Sequence, residues 1–161
     1  ISPVKGIEVL LKAINLLEEK VSLVLAGDIQ DKIYLKKLKE ISKKKDIYFL
    51  GPVDTFKLNS FYFNSALVVI PSFFEEHSMV FYEALECGAR LLVSNIDVFK
   101  TIDKSRVKKF KVGDHIDLAK KISELLKKDF SPKINQNSQT NAIDYEKWTE
   151  RYFQIYKELL Y

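Results

Sequence analysis

Cysteine, glycine, proline and arginine are all scarce in this chain. Of its 161 residues, one is cysteine, five are glycine and four are proline. Cys87 has no partner for an internal disulfide, so a reducing compartment is the default. So little glycine and proline beside 47% hydrophobic residues excludes collagen-like and disordered classes. No apolar run approaches the roughly 20 residues that span a bilayer. Arginine occurs only at Arg90, Arg106 and Arg151, so the net charge of +4 is carried mostly by lysine. The lysine runs, such as Lys43 to Lys45, are scattered and read as solvated helix faces and loops. No nucleic-acid-binding signature accompanies them, so nucleic acid is not an expected partner. Weak attraction to anionic membranes or phosphates is compatible with this charge. The length suits one domain with a sizeable core. The chain starts at Ile1 without a methionine, which leaves a signal peptide unjudged.

Short apolar runs alternate with helical periodicity. Ile7, Leu10, Leu11, Ile14 and Leu17 share one helical face. Val21 to Ala26 reads as a buried strand ending at Gly27-Asp28. A lysine-rich helix over Asp31 to Lys43 turns Tyr34, Leu38 and Ile41 inward. Ile47 to Leu50 is a strand closed by Gly51-Pro52, and Thr55 to Asn64 a helix with Leu58, Phe61, Tyr62 and Ser65 inside. Further strands are expected at Ala66 to Ile70, Leu91 to Ser94 and around Val107 to Val112, and helices at Met79 to Cys87 and Ile116 to Lys127. The pattern predicts an α/β, Rossmann-like parallel sheet with helices on both faces. Residues 1–127 form that domain, and a polar loop spans 128–144. A terminal amphipathic helix at 145–161 carries an aromatic stripe that packs on the domain or toward a missing lobe.

The segment from Pro71 to Gly88 concentrates the chemistry. It is a strand–loop–helix junction, where α/β proteins bind ligands. Ser78 is an N-cap candidate for the helix beginning at Met79. The first N–H groups, on Met79 and Val80, lie at the positive end of the helix dipole and suit a diphosphate. Glu83, about one turn in, is placed to bond vicinal hydroxyls such as those of a ribose. Glu75 sits in the loop, free to reach a second polar group. On spacing alone, solvated loop acids at Glu75 and Glu76 fit equally well.

Lys5-Gly6, Leu25-Ala-Gly27-Asp28, Phe49-Leu-Gly51, Pro71-Ser72, Glu75, Glu83-Ala84 and Cys87-Gly88 follow one another in a single order. That series resembles the C-terminal, donor-binding lobe of the group 1 retaining glycosyltransferases of GT-B fold, over nearly the whole chain. The resemblance implies that Lys5 neutralises the donor diphosphate, as suits charge building on a leaving group. It implies that Gly27 and Asp28 line the nucleotide loop and that Leu50 and Gly51 pack against the base. Glu75 would contact hydroxyls of the transferred sugar, and Glu83 the ribose. Ser78, Met79 and Val80 would hold phosphates and sugar through backbone amides.

The same resemblance implies a nucleotide-sugar donor, UDP-linked before GDP-mannose, and a saccharide or lipid-linked acceptor held by a missing N-terminal lobe. The fragment alone would be inactive. No cofactor or metal is expected, and the chain has no Asp-x-Asp pair of the metal-using glycosyltransferase fold. A cytoplasmic location is implied, with peripheral contact at the inner membrane surface. This chain departs from the family where glycines are usual, at Glu76 and Ser78, and where prolines are usual, at Val80 and Arg90. Glu76 adds negative charge near a diphosphate. The arginine usual a few residues upstream of Lys5 would fall just before Ile1, and together with Glu76 this motivates the alternative of a non-catalytic nucleotide-sugar-binding lobe. A receiver-like signalling domain needs an acidic cluster at strand ends, and Asp28 is the only aspartate so placed.

Overall fold

The computed structural model describes residues 1–42, 46–100 and 107–127. A 3-10 turn at Pro3–Lys5 leads into α1 (Ile7–Leu16). Then follow β1 (Leu23–Ala26), α2 (Lys32–Ile41), β2 (Ile47–Gly51), α3 (Thr55–Asn64) and β3 (Val68–Ile70). The remaining elements are α4 (Met79–Glu86), β4 (Leu91–Ser94), β5 (Val107–Phe110) and α5 (His115–Leu126). The polar loop and terminal helix expected beyond residue 127 lie outside the described residues.

All pairing is parallel. β1 lies against β2 with Leu23 opposite Ile47, and β4 lies between β3 and β5 with Leu92 opposite Val69 and Lys108. Where one sheet was expected, the ladder bonds divide the strands into a pair and a triplet. β3 also starts two residues later than its apolar run, because the Ser65 amide still closes α3 on the Phe61 carbonyl. The two sheets nevertheless share a core. Leu23 and Leu25 of β1, Val69, Leu92 and Phe110 pack with α1, α2 and α5. Val68, Ile70, Leu91, Val93 and Val107 turn the other way, onto α3, α4 and Phe99. This is the period-2 alternation of strands covered on both faces, and β4 is buried along its whole length.

The helices begin on side-chain caps where the sequence supplies aspartate. Asp31 accepts from the amides of Ile33 and Tyr34, Asp54 from Lys57, and Asp114 from Ile116 and Asp117. The inward positions of α2 are as its periodicity predicts, with one cost. Tyr34 is 5% exposed and its buried hydroxyl has no hydrogen-bond partner. Burial, with Glu8 second, holds that phenol in its protonated form above the usual tyrosine range. An unpaired buried hydroxyl costs on the order of 1–3 kcal/mol. Tyr34→Phe should therefore be neutral or raise stability by about 1 kcal/mol, measured by urea denaturation. A clear loss of stability would show that the hydroxyl is satisfied in solution.

What positions the site is the edge where the strands end. Gly27 follows β1, Gly51 ends β2 and Pro71 follows β3. The first six residues run across this edge. The Ile1 side chain lies against Gly27, while the Val4 carbonyl accepts from the Phe73 amide at 2.8 Å. Gly6, at φ 65°, lies so close to Pro71 that a Cβ there would stand 2.0 Å from its carbonyl oxygen.

Candidate functional site

The docking of residues 4–6 on residues 71–73 brings Lys5 to Glu75, across 70 positions of sequence. Lys5 Nζ donates to both carboxylate oxygens at 2.9 Å. The Glu75 side chain is only 7% exposed, and that of Lys5 is 46% exposed. Ser72 Oγ donates to Glu75 Oε1 at 2.6 Å. Ser72 is itself held from β4, because the buried Ser94 hydroxyl donates to the Ser72 carbonyl. Glu75 is thus not the solvated loop acid that fitted the spacing equally well. It is a carboxylate fixed by one cation and one hydroxyl. Glu76, next to it, is exposed, so water screens its charge.

Glu83 occupies a separate position one turn into α4. Phe81 and Ala84, both fully buried, seat this short helix, and the Phe81 ring lies 5.0 Å from that of Phe99. Glu83 is half-buried, and Tyr62 of α3 donates to its Oε2 at 3.2 Å. Burial first, then the Glu83 carboxylate, raises the Tyr62 phenol far above the usual range, so it stays protonated and donates. Burial likewise raises Cys87, with Glu86 and Glu83 adding to it, which leaves a thiol rather than a nucleophilic thiolate.

Ser78 corrects one expectation. It occupies the N-cap position of α4, but its side chain makes no capping bond. Its carbonyl instead accepts from the Phe81 and Tyr82 amides, and the residue is buried. The first amides of the helix, on Met79 and Val80, therefore carry no serine cap, and both residues are exposed.

At the other strand ends, the Gly27 amide donates to the Gly51 carbonyl at 2.7 Å. Leu50 is half-buried beside them and Asp28 is exposed. Gly27 and Gly51 both have positive φ, and nothing lies within 4 Å of a Cβ built at Gly51. At Gly51 the backbone is therefore open to a flat ligand, whereas the Ile1 side chain lies against Gly27. His77 is exposed and makes no part of the carboxylate cluster.

The family described as glycosyl transferases group 1 matches residues 1–145. The chain belongs to that family. Its fold is one half of the GT-B architecture, as solved structures show. It superposes with a TM-score of 0.71 on Anabaena HepE in complex with UDP and glucose, at 21% identity over 79% of this chain and 36% of that one. Sucrose-phosphate synthase from Thermosynechococcus elongatus gives 0.67, at 24% identity over 78% of this chain and 34% of that one. The catalytic domain of cholesterol-alpha-glucosyltransferase from Helicobacter pylori gives 0.60, at 23% identity over 78% and 80% of the two chains. An uncharacterized glycosyltransferase of Methanocaldococcus jannaschii is 33% identical over 106 residues. That alignment takes in 64% of this chain and 27% of the archaeal protein. The chain thus spans 27–36% of three of these relatives and 80% of the Helicobacter pylori domain.

Two residues of this glycosyltransferase domain gain roles that sequence reading did not assign. Ser72 was quoted only as part of a motif, although its three-residue spacing to Glu75 suits a local side-chain bond. Tyr62 was placed in the core, where a tyrosine hydroxyl still needs a partner.

Proposed function

We propose that this domain is the donor-binding half of a retaining glycosyltransferase. The whole enzyme would move a hexose from a nucleotide-diphosphate sugar to a saccharide or lipid acceptor presented by an N-terminal lobe. The observation that carries the reading is the Lys5–Glu75–Ser72 cluster, built beside the start of α4 at the strand-end edge.

Each residue then has a task. The ammonium of Lys5 faces the departing diphosphate, whose charge grows as the glycosidic bond breaks. Lys5 is half-exposed, so it can share its charge between Glu75 and a phosphate without a large rearrangement. Glu75 stays tethered by Ser72 and presents its carboxylate to hydroxyls of the transferred sugar. The amides of Met79 and Val80, with Ser78 behind them, receive phosphate oxygens. Glu83 takes the ribose hydroxyls. The backbone at Gly27, Asp28, Leu50 and Gly51 holds the base. The acceptor hydroxyl attacks on the face from which the diphosphate leaves and gives its proton to the departing phosphate oxygen as the bond to the sugar breaks, which retains configuration. UDP is the preferred nucleotide in this reading, supported by the UDP in the HepE complex. Such an enzyme would work in the cytoplasm, against the inner membrane surface when its acceptor is a lipid. No helix of the described residues is long and apolar enough to cross a membrane.

The test is calorimetric titration of the chain with UDP and with GDP. One of them should bind with a Kd of about 1 mM or tighter, roughly −4 kcal/mol. Glu83→Ala should weaken it about tenfold, the value of one good hydrogen-bonded contact. Binding of neither nucleotide, or equal binding by the variant, would sink the proposal.

A further inference from the structure

The Glu83 carboxylate sits on a short helix, half-buried, on a side chain with three rotatable bonds. Left to itself it would lose rotamer freedom on meeting a ligand, a cost that opposes binding. The structure shows what holds it beforehand. Tyr62 projects from the neighbouring helix α3, is 5% exposed, and is packed among Ile70, Phe81 and Ala84. Its ring has nowhere else to go, so its hydroxyl is a fixed donor, and it meets Glu83 Oε2 at 3.2 Å. A carboxylate is acceptor-only when ionised and has room for several donors. One oxygen taken by Tyr62 leaves Oε1 for the hydroxyls of a ligand.

We propose that Tyr62 is a positioning residue for recognition of a ribose diol: its buried hydroxyl presets the Glu83 carboxylate that reads the sugar of the nucleotide. The assignment rests on the donor-lobe reading of Glu83. It makes α3, the helix that carries Tyr62, a determinant of selectivity for ribose over deoxyribose. A bond to a preset carboxylate is stronger than one to a mobile side chain, because the ordering cost falls on folding rather than on binding.

The experiment measures binding of UDP or GDP, whichever the chain takes, against the 2′-deoxy form of the same nucleotide. Wild type, Tyr62→Phe and Glu83→Ala are compared, with thermal denaturation of each. Wild type should prefer the ribonucleotide by about tenfold, and Glu83→Ala should abolish the preference. Tyr62→Phe keeps the ring in the core and should fold. Its preference should fall to about threefold, while its affinity for the deoxynucleotide stays near wild type. A wild-type preference in Tyr62→Phe overturns the assignment. So does a parallel loss of both nucleotides, which would mark a purely structural tyrosine. If Glu83→Ala itself retains the preference, the ribose reading of Glu83 fails, and the role of Tyr62 fails with it.

Discussion

Gly6→Ala should destabilise the domain by about 3–5 kcal/mol, the range reserved for substitutions that break a packed or strained site. Two costs coincide at this position. Gly6 has φ 65°, a left-handed conformation that costs an L-residue roughly 1–2 kcal/mol. The added Cβ would also meet the Pro71 carbonyl oxygen at 2.0 Å and its carbon at 2.9 Å, and both are backbone atoms. No side-chain rotation relieves such a clash. The segment bearing Lys5 has to lift from the segment bearing Glu75, which breaks the bond from the Phe73 amide to the Val4 carbonyl. Gly51→Ala is the matched control. Its φ is 70°, but nothing lies within 4 Å of the new Cβ, so only the conformational cost of about 1–2 kcal/mol applies. For a chain of this size each kcal/mol moves Tm by roughly 2–4 °C. Gly6→Ala should therefore melt about 10 °C below wild type, and Gly51→Ala only a few degrees below. Equal shifts would mean that the close approach at Pro71 does not govern stability.

The same glycine shows where sequence reading succeeded and where it stopped. Lys5-Gly6 opens a helix, and that much was legible. The parallel α/β class was legible too, because β4 is an unbroken apolar run and α1 and α2 carry their apolar residues at helical spacing. The approach of Gly6 to Pro71 was not legible, since a contact across 65 positions leaves no local pattern. For the same reason the resemblance could name Lys5 and Glu75 separately, but not join them. Ser78 holds the N-cap position without the capping bond, and it is buried, which tertiary packing decides and the local sequence does not show. The division of the strands into a pair and a triplet was equally hidden. Which strands share ladder bonds is decided between segments far apart in sequence, and no local pattern records it. Tyr62 was rightly assigned to the core. Its tip, however, has a function that a hydrophobic pattern cannot register, because the pattern counts the ring and not the hydroxyl.

If Lys5 faces the leaving diphosphate as proposed, Lys5→Ala in a transferase that carries this domain should lower kcat about 10²–10³-fold, the usual loss when one preorganised donor to a developing anion is removed. The substitution also removes the cation from Glu75, whose side chain is only 7% exposed. Breaking a fully buried pair costs about 3–5 kcal/mol, but Lys5 is half-exposed and Ser72 still donates to the carboxylate, so about 1–2 kcal/mol is expected. The two effects are separable because they concern different charges. Adding Glu75→Gln replaces the stranded carboxylate with a neutral amide that can still accept from Ser72. Lys5→Ala/Glu75→Gln should therefore regain most of the lost stability in a urea melt. On the proposed roles transfer should stay low, since no cation then faces the leaving diphosphate and the sugar contact of Glu75 is weakened as well. Single-turnover measurement with saturating donor isolates the chemical step from binding. If the double variant recovered transfer together with stability, Lys5 would serve only to neutralise Glu75. The leaving-group charge would then be met by other groups, with the amides of the exposed residues Met79 and Val80 the first to test.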